Sequence, residues 1–257
     1  GSSIVSFPKD FPVSTQTIRL HDTNVTNIPQ DAFSNLPNLR KLYINKNKKL
    51  RTLPPGLFNH TDLKELELIN FSHNSLTRIP DNLFNNLPKL HRIFLNQNVL
   101  MKLPSNVLRN LPKLSRFVVE NNKLTSVPGN LFDDSMKKFV YVSFVNNQLS
   151  SLPSDIFIPV KNTLKSLYLN RNQFRFLPMN AFRNIGSQFD DLNVHLNPTY
   201  CNCSLAQFVI WAIKREIHNN GVTCNGVNTP LEKINVTNCA PLSTTPVTTT
   251  TQPRSTT

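Results

Sequence analysis

The sequence predicts an α/β solenoid: short parallel strands stacked along a concave face, closed at the C-terminal end by a disulfide-bridged helical cap. Three observations predict it. A run of alternating aliphatic residues recurs eight times, starting at residues 15, 39, 66, 90, 114, 139, 164 and 189. An asparagine holds one fixed place in seven copies (Asn47, Asn74, Asn98, Asn122, Asn147, Asn172, Asn197), with Thr23 in the first. An aliphatic-proline pair is followed by Phe33, Phe58, Phe84, Phe132, Phe157 and Phe182, with Leu108 in the fourth copy. A unit of this length cannot bury its own apolar face, so neighbours must stack and share one core.

The consensus, L-x-x-L-x-L-x-x-N-x-L, is identified as that of the leucine-rich repeat. Its L-x-L core is a strand whose alternate side chains point inward. The asparagine amide sits where the chain turns inward and can pair backbone groups that the turn would otherwise bury unpaired. The Phe series predicts a spine on the convex side. Two irregularities stand out. "NKNKKL" carries one extra residue before Leu50, and "LKELELINF" offers two registers. The register through Leu66, Ile69 and Phe71 keeps Asn74 and Leu76 in phase; a slip would exchange inward and outward residues.

Both ends of an open solenoid need covers. Residues 1–14 are expected to be an N-terminal cap, truncated or free of cysteine, with Ile4 and Val5 over the core. The eight repeats occupy 15–196, and a cysteine cap occupies 197–240. In the cap, Leu205, Phe208, Val209, Ala212, Ile213 and Ile217 recur at helical spacing. Ser204 is the expected N-cap, and Asn219, Asn220 and Gly221 form a stop. Cys201, Cys203, Cys224 and Cys239 allow three pairings. Their spacing fits zinc sites poorly. Residues 241–257 hold eight threonines in 17 positions and predict a disordered or O-glycosylated Thr/Pro-rich stalk, with any membrane anchor beyond it.

Composition narrows the function. The formal charge is +13, which favours encounter with anionic partners without defining a site. No metalloprotease, nucleophile-elbow or phosphate-loop motif occurs, so the reading is non-catalytic, with no cofactor and no metal. No nucleic-acid motif occurs either. N-glycosylation sequons begin at Asn24, Asn59, Asn70, Asn202 and Asn235; with an even cysteine set they favour an extracellular location, secreted or at the cell surface.

The strand positions between the leucines face the concave side. One column is Arg19, Tyr43, Asn70, Phe94, Val118, Ser143, Tyr168 and Asn193. The other is Thr17, Lys41, Leu68, Arg92, Arg116, Tyr141, Ser166 and Asp191. The ligand-binding candidates on this face are Lys41, Tyr43, Arg92, Phe94, Arg116, Val118, Tyr141, Tyr168 and Arg171, because Tyr and Arg are enriched at binding hot spots. A sugar on Asn70 would obstruct the face.

The cap residues Asn197, Pro198, Cys201, Cys203, Phe208, Trp211, Cys224 and Cys239 resemble the C-terminal cap of extracellular leucine-rich repeat proteins. That resemblance implies the pairings Cys201–Cys224 and Cys203–Cys239. Cys224, Gly226, Asn228, Thr229 and Pro230, followed by the stalk, resemble the cap of variable lymphocyte receptors. The family implies an immune receptor that binds protein or carbohydrate antigen, an anionic microbial surface included, on its concave face. The alternative is an extracellular matrix, adhesion or other cell-surface repeat protein that binds a protein or an anionic glycan.

Overall fold

A computed structural model describes residues 4–59, 62–201, 203–218, 221–224 and 227–235. Eight parallel strands form one sheet in chain order: β1 (Thr17–His21), β2 (Lys41–Asn45), β3 (Leu68–Asn70), β4 (Arg92–Phe94), β5 (Arg116–Val118), β6 (Tyr141–Ser143), β7 (Ser166–Tyr168) and β8 (Asp191–Asn193). Sequential parallel neighbours require a full crossover between strands, and each repeat supplies one. β3 pairs Leu68 with Lys41 and Asn70 with Tyr43, which is the register that keeps Asn74 in phase. Leu66, Ile69 and Phe71 are fully buried accordingly.

The asparagine series is a continuous hydrogen-bond ladder. Asn122 donates from Nδ2 to the carbonyls of Leu95 (3.0 Å) and Val119 (3.3 Å), and its Oδ1 accepts the Leu100 N–H (3.0 Å). Asn98, Asn147, Asn172 and Asn197 repeat the arrangement. The insertion before Leu50 shifts one rung: Asn74 Oδ1 accepts the N–H of Asn47 itself, at 2.8 Å. Thr23 ends the ladder, donating its hydroxyl to Asn47 Oδ1 at 2.6 Å. The residue before each ladder position (Asp22, Lys46, His73, Gln97, Asn121, Asn146, Arg171 and Leu196) has a left-handed backbone, with φ of 53° to 62°. That conformation turns the chain inward and aims the next amide into the core.

The convex side carries the aromatic spine. Phe33 stacks on Phe58 at 5.7 Å between ring centroids, and Phe58 on Phe84 at 6.2 Å. Paired strands sit about 4.8 Å apart. The wider aromatic side therefore bends the stack into a horseshoe. At the N-terminal end the spine continues into Phe7, buried 5.8 Å from Phe33. Ile4 and Val5, expected to cover that end, are exposed instead. Phe7 meets Phe33 edge to face, so one aromatic ring covers the end of the spine in place of two short aliphatic chains.

The C-terminal cover also departs from expectation in detail. Helix α1 (Met179–Phe182) belongs to the last convex segment, and helix α2 (Ala206–Lys214) is the cap helix. α2 follows a 3-10 turn at Cys203–Leu205 and has Leu205 as N-cap without a side-chain hydrogen bond, so Ser204 lies inside the turn rather than capping α2. The helix stops at Lys214, before the Asn-Asn-Gly signal, as Glu216 turns left-handed at φ 53°. Ile217 still reaches the core from beyond the helix, whereas Ile213 is 52% exposed. Trp211 stacks on Phe182 at 5.7 Å, extending the spine into the cap. His218 bridges Asp191, so the cap adds a rung that covers the free edge of β8. A hairpin of β9 (Val222–Cys224) and β10 (Val227–Thr229) follows.

Cys201 and Cys224 are disulfide-bonded, with a Cα–Cα distance of 5.5 Å. Cys203 is also in a disulfide. Its expected partner Cys239 lies outside the described residues, as do Asn202, Asn219, Asn220, Gly226 and the stalk at 241–257.

Candidate binding face

The sheet ladder assembles both expected columns. Arg19, Tyr43, Asn70, Phe94, Val118, Ser143, Tyr168 and Asn193 stand side by side, and so do Thr17, Lys41, Leu68, Arg92, Arg116, Tyr141, Ser166 and Asp191. The face divides chemically into two parts.

The part over β5 to β8 is largely committed to contacts within the chain, although the buried Oδ1 of Asn170, just after β7, has no hydrogen-bond partner among the described residues. Tyr141 packs on Tyr168 at 5.2 Å, and the Arg116 guanidinium lies 4.2 Å from the Tyr141 ring centroid. The Tyr168 hydroxyl donates to the Asp191 carboxylate, and Ser143 donates to Glu120 at 2.6 Å. Burial raises both tyrosine pKa values; the Asp191 hydrogen bond adds to the rise at Tyr168, and the Glu120 charge adds to it at Tyr141. Val118, expected among the exposed candidates, is buried at 7% exposure, flanked by Phe94 and Ser143. Arg171 is exposed at its left-handed turn, beside His195.

The part over β2 to β4 is open. Tyr43, Leu68, Asn70 and Phe94 are half-buried, and Lys41 and Arg92 are exposed. Arg19 covers the outer side of Tyr43, 5.0 Å from its centroid. Glu67 is committed to Arg40 at 2.7 Å, a bond that lowers the Glu67 pKa. Lys41 and Arg92 are left without an ion pair among the described residues, on either side of Leu68. A cavity of about 390 Å³ opens between Lys41, Leu68, His91 and Arg92. Asn70 sits in the middle of this part, its Oδ1 taken by the Ser72 N–H at 2.9 Å.

The chain matches the family model of the BspA type leucine rich repeat region, six copies, over residues 13–138 and 65–188. This chain is a leucine-rich repeat protein. It is 37% identical to mouse podocan over 86 residues, which are 33% of this leucine-rich repeat chain and 14% of podocan. It therefore spans a small part of the curated relative's length. Among solved structures, it is similar in fold to a chain of the octameric complex of Latrophilin 3, Unc5D and FLRT2 (TM-score 0.70, 22% identity, covering 91% of this chain and 80% of that one). It is similar also to a chain of the Drosophila Toll–Spatzle complex (TM-score 0.68, 23% identity, covering 81% and 26%). No helix among the described residues is long and apolar enough to cross a membrane.

The columns were readable in the sequence because strand periodicity fixes which side chains share a face. The division of the face was not. Its signal is the acidic residues, Glu120 and Asp191, which lie near the tyrosines only once the strands are stacked.

Proposed function

We propose that the protein is a non-catalytic immune recognition receptor, extracellular and either secreted or anchored at the cell surface. It binds a protein or carbohydrate antigen, anionic microbial surfaces included, on its concave face. In this reading residues 1–14 and 197–240 cap the repeats, and 241–257 form a stalk. The observation that carries it is the open patch over β2 to β4: Tyr43 and Phe94 flank Asn70 in one column, and unpaired Lys41 and Arg92 flank Leu68 in the next. Aromatic anchors beside cations, with no intramolecular partner for the charges, are what an acidic ligand with apolar groups requires. The assembly of Toll with Spatzle and the company FLRT2 keeps with Latrophilin 3 and Unc5D support a protein partner.

The test is surface plasmon resonance on immobilised lipopolysaccharide and on heparin, with Y43A and F94A. Affinity for lipopolysaccharide should fall at least tenfold, about 1.4 kcal/mol, at unchanged melting temperature. Unchanged affinity would remove the concave patch from the function. A matrix or adhesion role is the second reading, favoured by the identity with podocan and by the +13 charge. It predicts binding to heparin that collapses with salt and ignores both substitutions.

A further inference from the structure

A second depression lies away from the concave face, on the flank where each convex segment returns to its strand. It has a volume of about 580 Å³, within the range of roughly 300–1,000 Å³ seen for small-molecule sites. Pro88 and Pro112, at equivalent places in successive repeats, supply its apolar surface. Asn86 and Asn110, both exposed and left-handed at φ 63° and 57°, line it with Lys64 and Asn59. None of these four side chains has a hydrogen bond among the described residues, so donors and acceptors stand free over the prolines.

The wall at one end is made by an insertion. Seven residues separate Phe58 from Leu66, against five between Phe84 and Leu90. Within it Leu63–Glu65 form a 3-10 turn, and Glu65 pairs with Lys89 at 2.6 Å; His60 and Thr61 lie outside the described residues. That same insertion carries the Asn59 sequon. Gly56, at φ 70°, accepts the Asn59 N–H at 2.9 Å and sets Asn59, exposed, at the rim. By contrast, Asn24 and Asn70 are half-buried, and the Asn70 amide oxygen is taken by Ser72.

We propose that Asn59 carries an N-linked glycan whose first N-acetylglucosamine lies in this groove. A pyranose has an apolar C–H face and a rim of hydroxyls. The prolines match the first, and the free amides of Asn86 and Asn110 match the second. The covalent step is the ordinary transfer from a lipid-linked oligosaccharide diphosphate. Asn59 Nδ2 forms a bond to the sugar C1, the C1–O bond to the diphosphate breaks, the diphosphate leaves with the electron pair, and Nδ2 loses a proton. Tethering removes most of the entropic cost of association, so a weak contact suffices to hold the sugar in place. On this flank the glycan leaves the concave face clear. The inference rests on the secretory location in the proposed function and not on its ligand.

The experiment is carbene footprinting of the full chain secreted from glycosylating eukaryotic cells, with peptide mapping of Asn59. We expect Asn59 to be occupied. Pro88 and Pro112 should be labelled several-fold less in the glycoprotein, and in the form trimmed to a single N-acetylglucosamine, than in T61A or N59Q. An unmodified Asn59 overturns the proposal. Equal labelling of the two prolines in the glycoprotein and the variants also overturns it and leaves the groove to a protein partner. Neither result bears on the concave-face affinities.

Discussion

At the residue scale the ladder asparagine does most to hold the turns. Asn122 is buried and satisfies the carbonyls of Leu95, Val119 and Glu120 while accepting from Leu100. Asn122→Ala strands those groups away from water, and each buried unsatisfied group costs about 1–3 kcal/mol. Urea denaturation should show a loss of about 3 kcal/mol, the turn relaxing enough to hydrate part of the set. The asparagine period was legible in the sequence. The left-handed residue before it was not, because no glycine marks it: Lys46, Gln97 and Arg171 occupy a conformation that costs an L-residue roughly 1–2 kcal/mol and reveal it by no motif. His195 offers a pH test. Burial, and then the Arg171 charge, hold its pKa below the usual 6.5. The unfolded chain therefore binds a proton that the folded chain resists. This group costs nothing above that pH, and stability falls as the pH drops below it. His195→Gln should flatten the decline in melting temperature as the pH falls below about 6.5. The Arg40–Glu67 bond titrates lower, with its stabilisation present at neutral pH and lost as the pH falls through the depressed Glu67 pKa.

At the element scale the cap joins the repeats through Trp211 on Phe182 and His218 on β8. Its helix was legible from apolar spacing, yet its start and stop were not. Leu205 occupies the N-cap because the 3-10 turn begins at Cys203, and the left-handed Glu216 ends the helix before the asparagines. Cysteine connectivity is a three-dimensional fact that chain order alone leaves open, and Cys201–Cys224 spans 23 residues. Closing such a loop restricts the unfolded chain by about 3 kcal/mol. The chain's single tryptophan, Trp211, stacks on Phe182 across the boundary between cap and repeats, so its emission reports docking of the cap. In C201S/C224S, the Trp211 emission should shift red at lower urea than the loss of far-UV circular dichroism from the solenoid. Coincident transitions in that variant would mean that cap and repeats unfold as one unit. Nearest-neighbour coupling in a solenoid favours fraying from a weakened end.

At the scale of the whole molecule, curvature and charge decide what can approach. Eight repeats with aromatic rings on the outside present one long concave sheet, and sequence periodicity was enough to say which residues line it. Periodicity says nothing of which of them are already spoken for, and Tyr141, Tyr168 and Arg116 are. The open patch is therefore short, three strands wide, and it holds few of the chain's cations. In the proposed function, long-range attraction comes from the whole +13 charge and specificity from the patch. These contributions separate on a heparin column. K41E/R92E inverts both unpaired patch cations but leaves a strongly basic chain, so it should elute at only modestly lower salt than the unaltered protein. The same variant should lose most of its affinity for a ligand recognised by the patch, because a reversed charge beside Leu68 repels at close range, where screening is weak. If K41E/R92E instead fails to bind heparin at all, the basic charge acts as one concentrated site, and the separation of encounter from recognition is wrong.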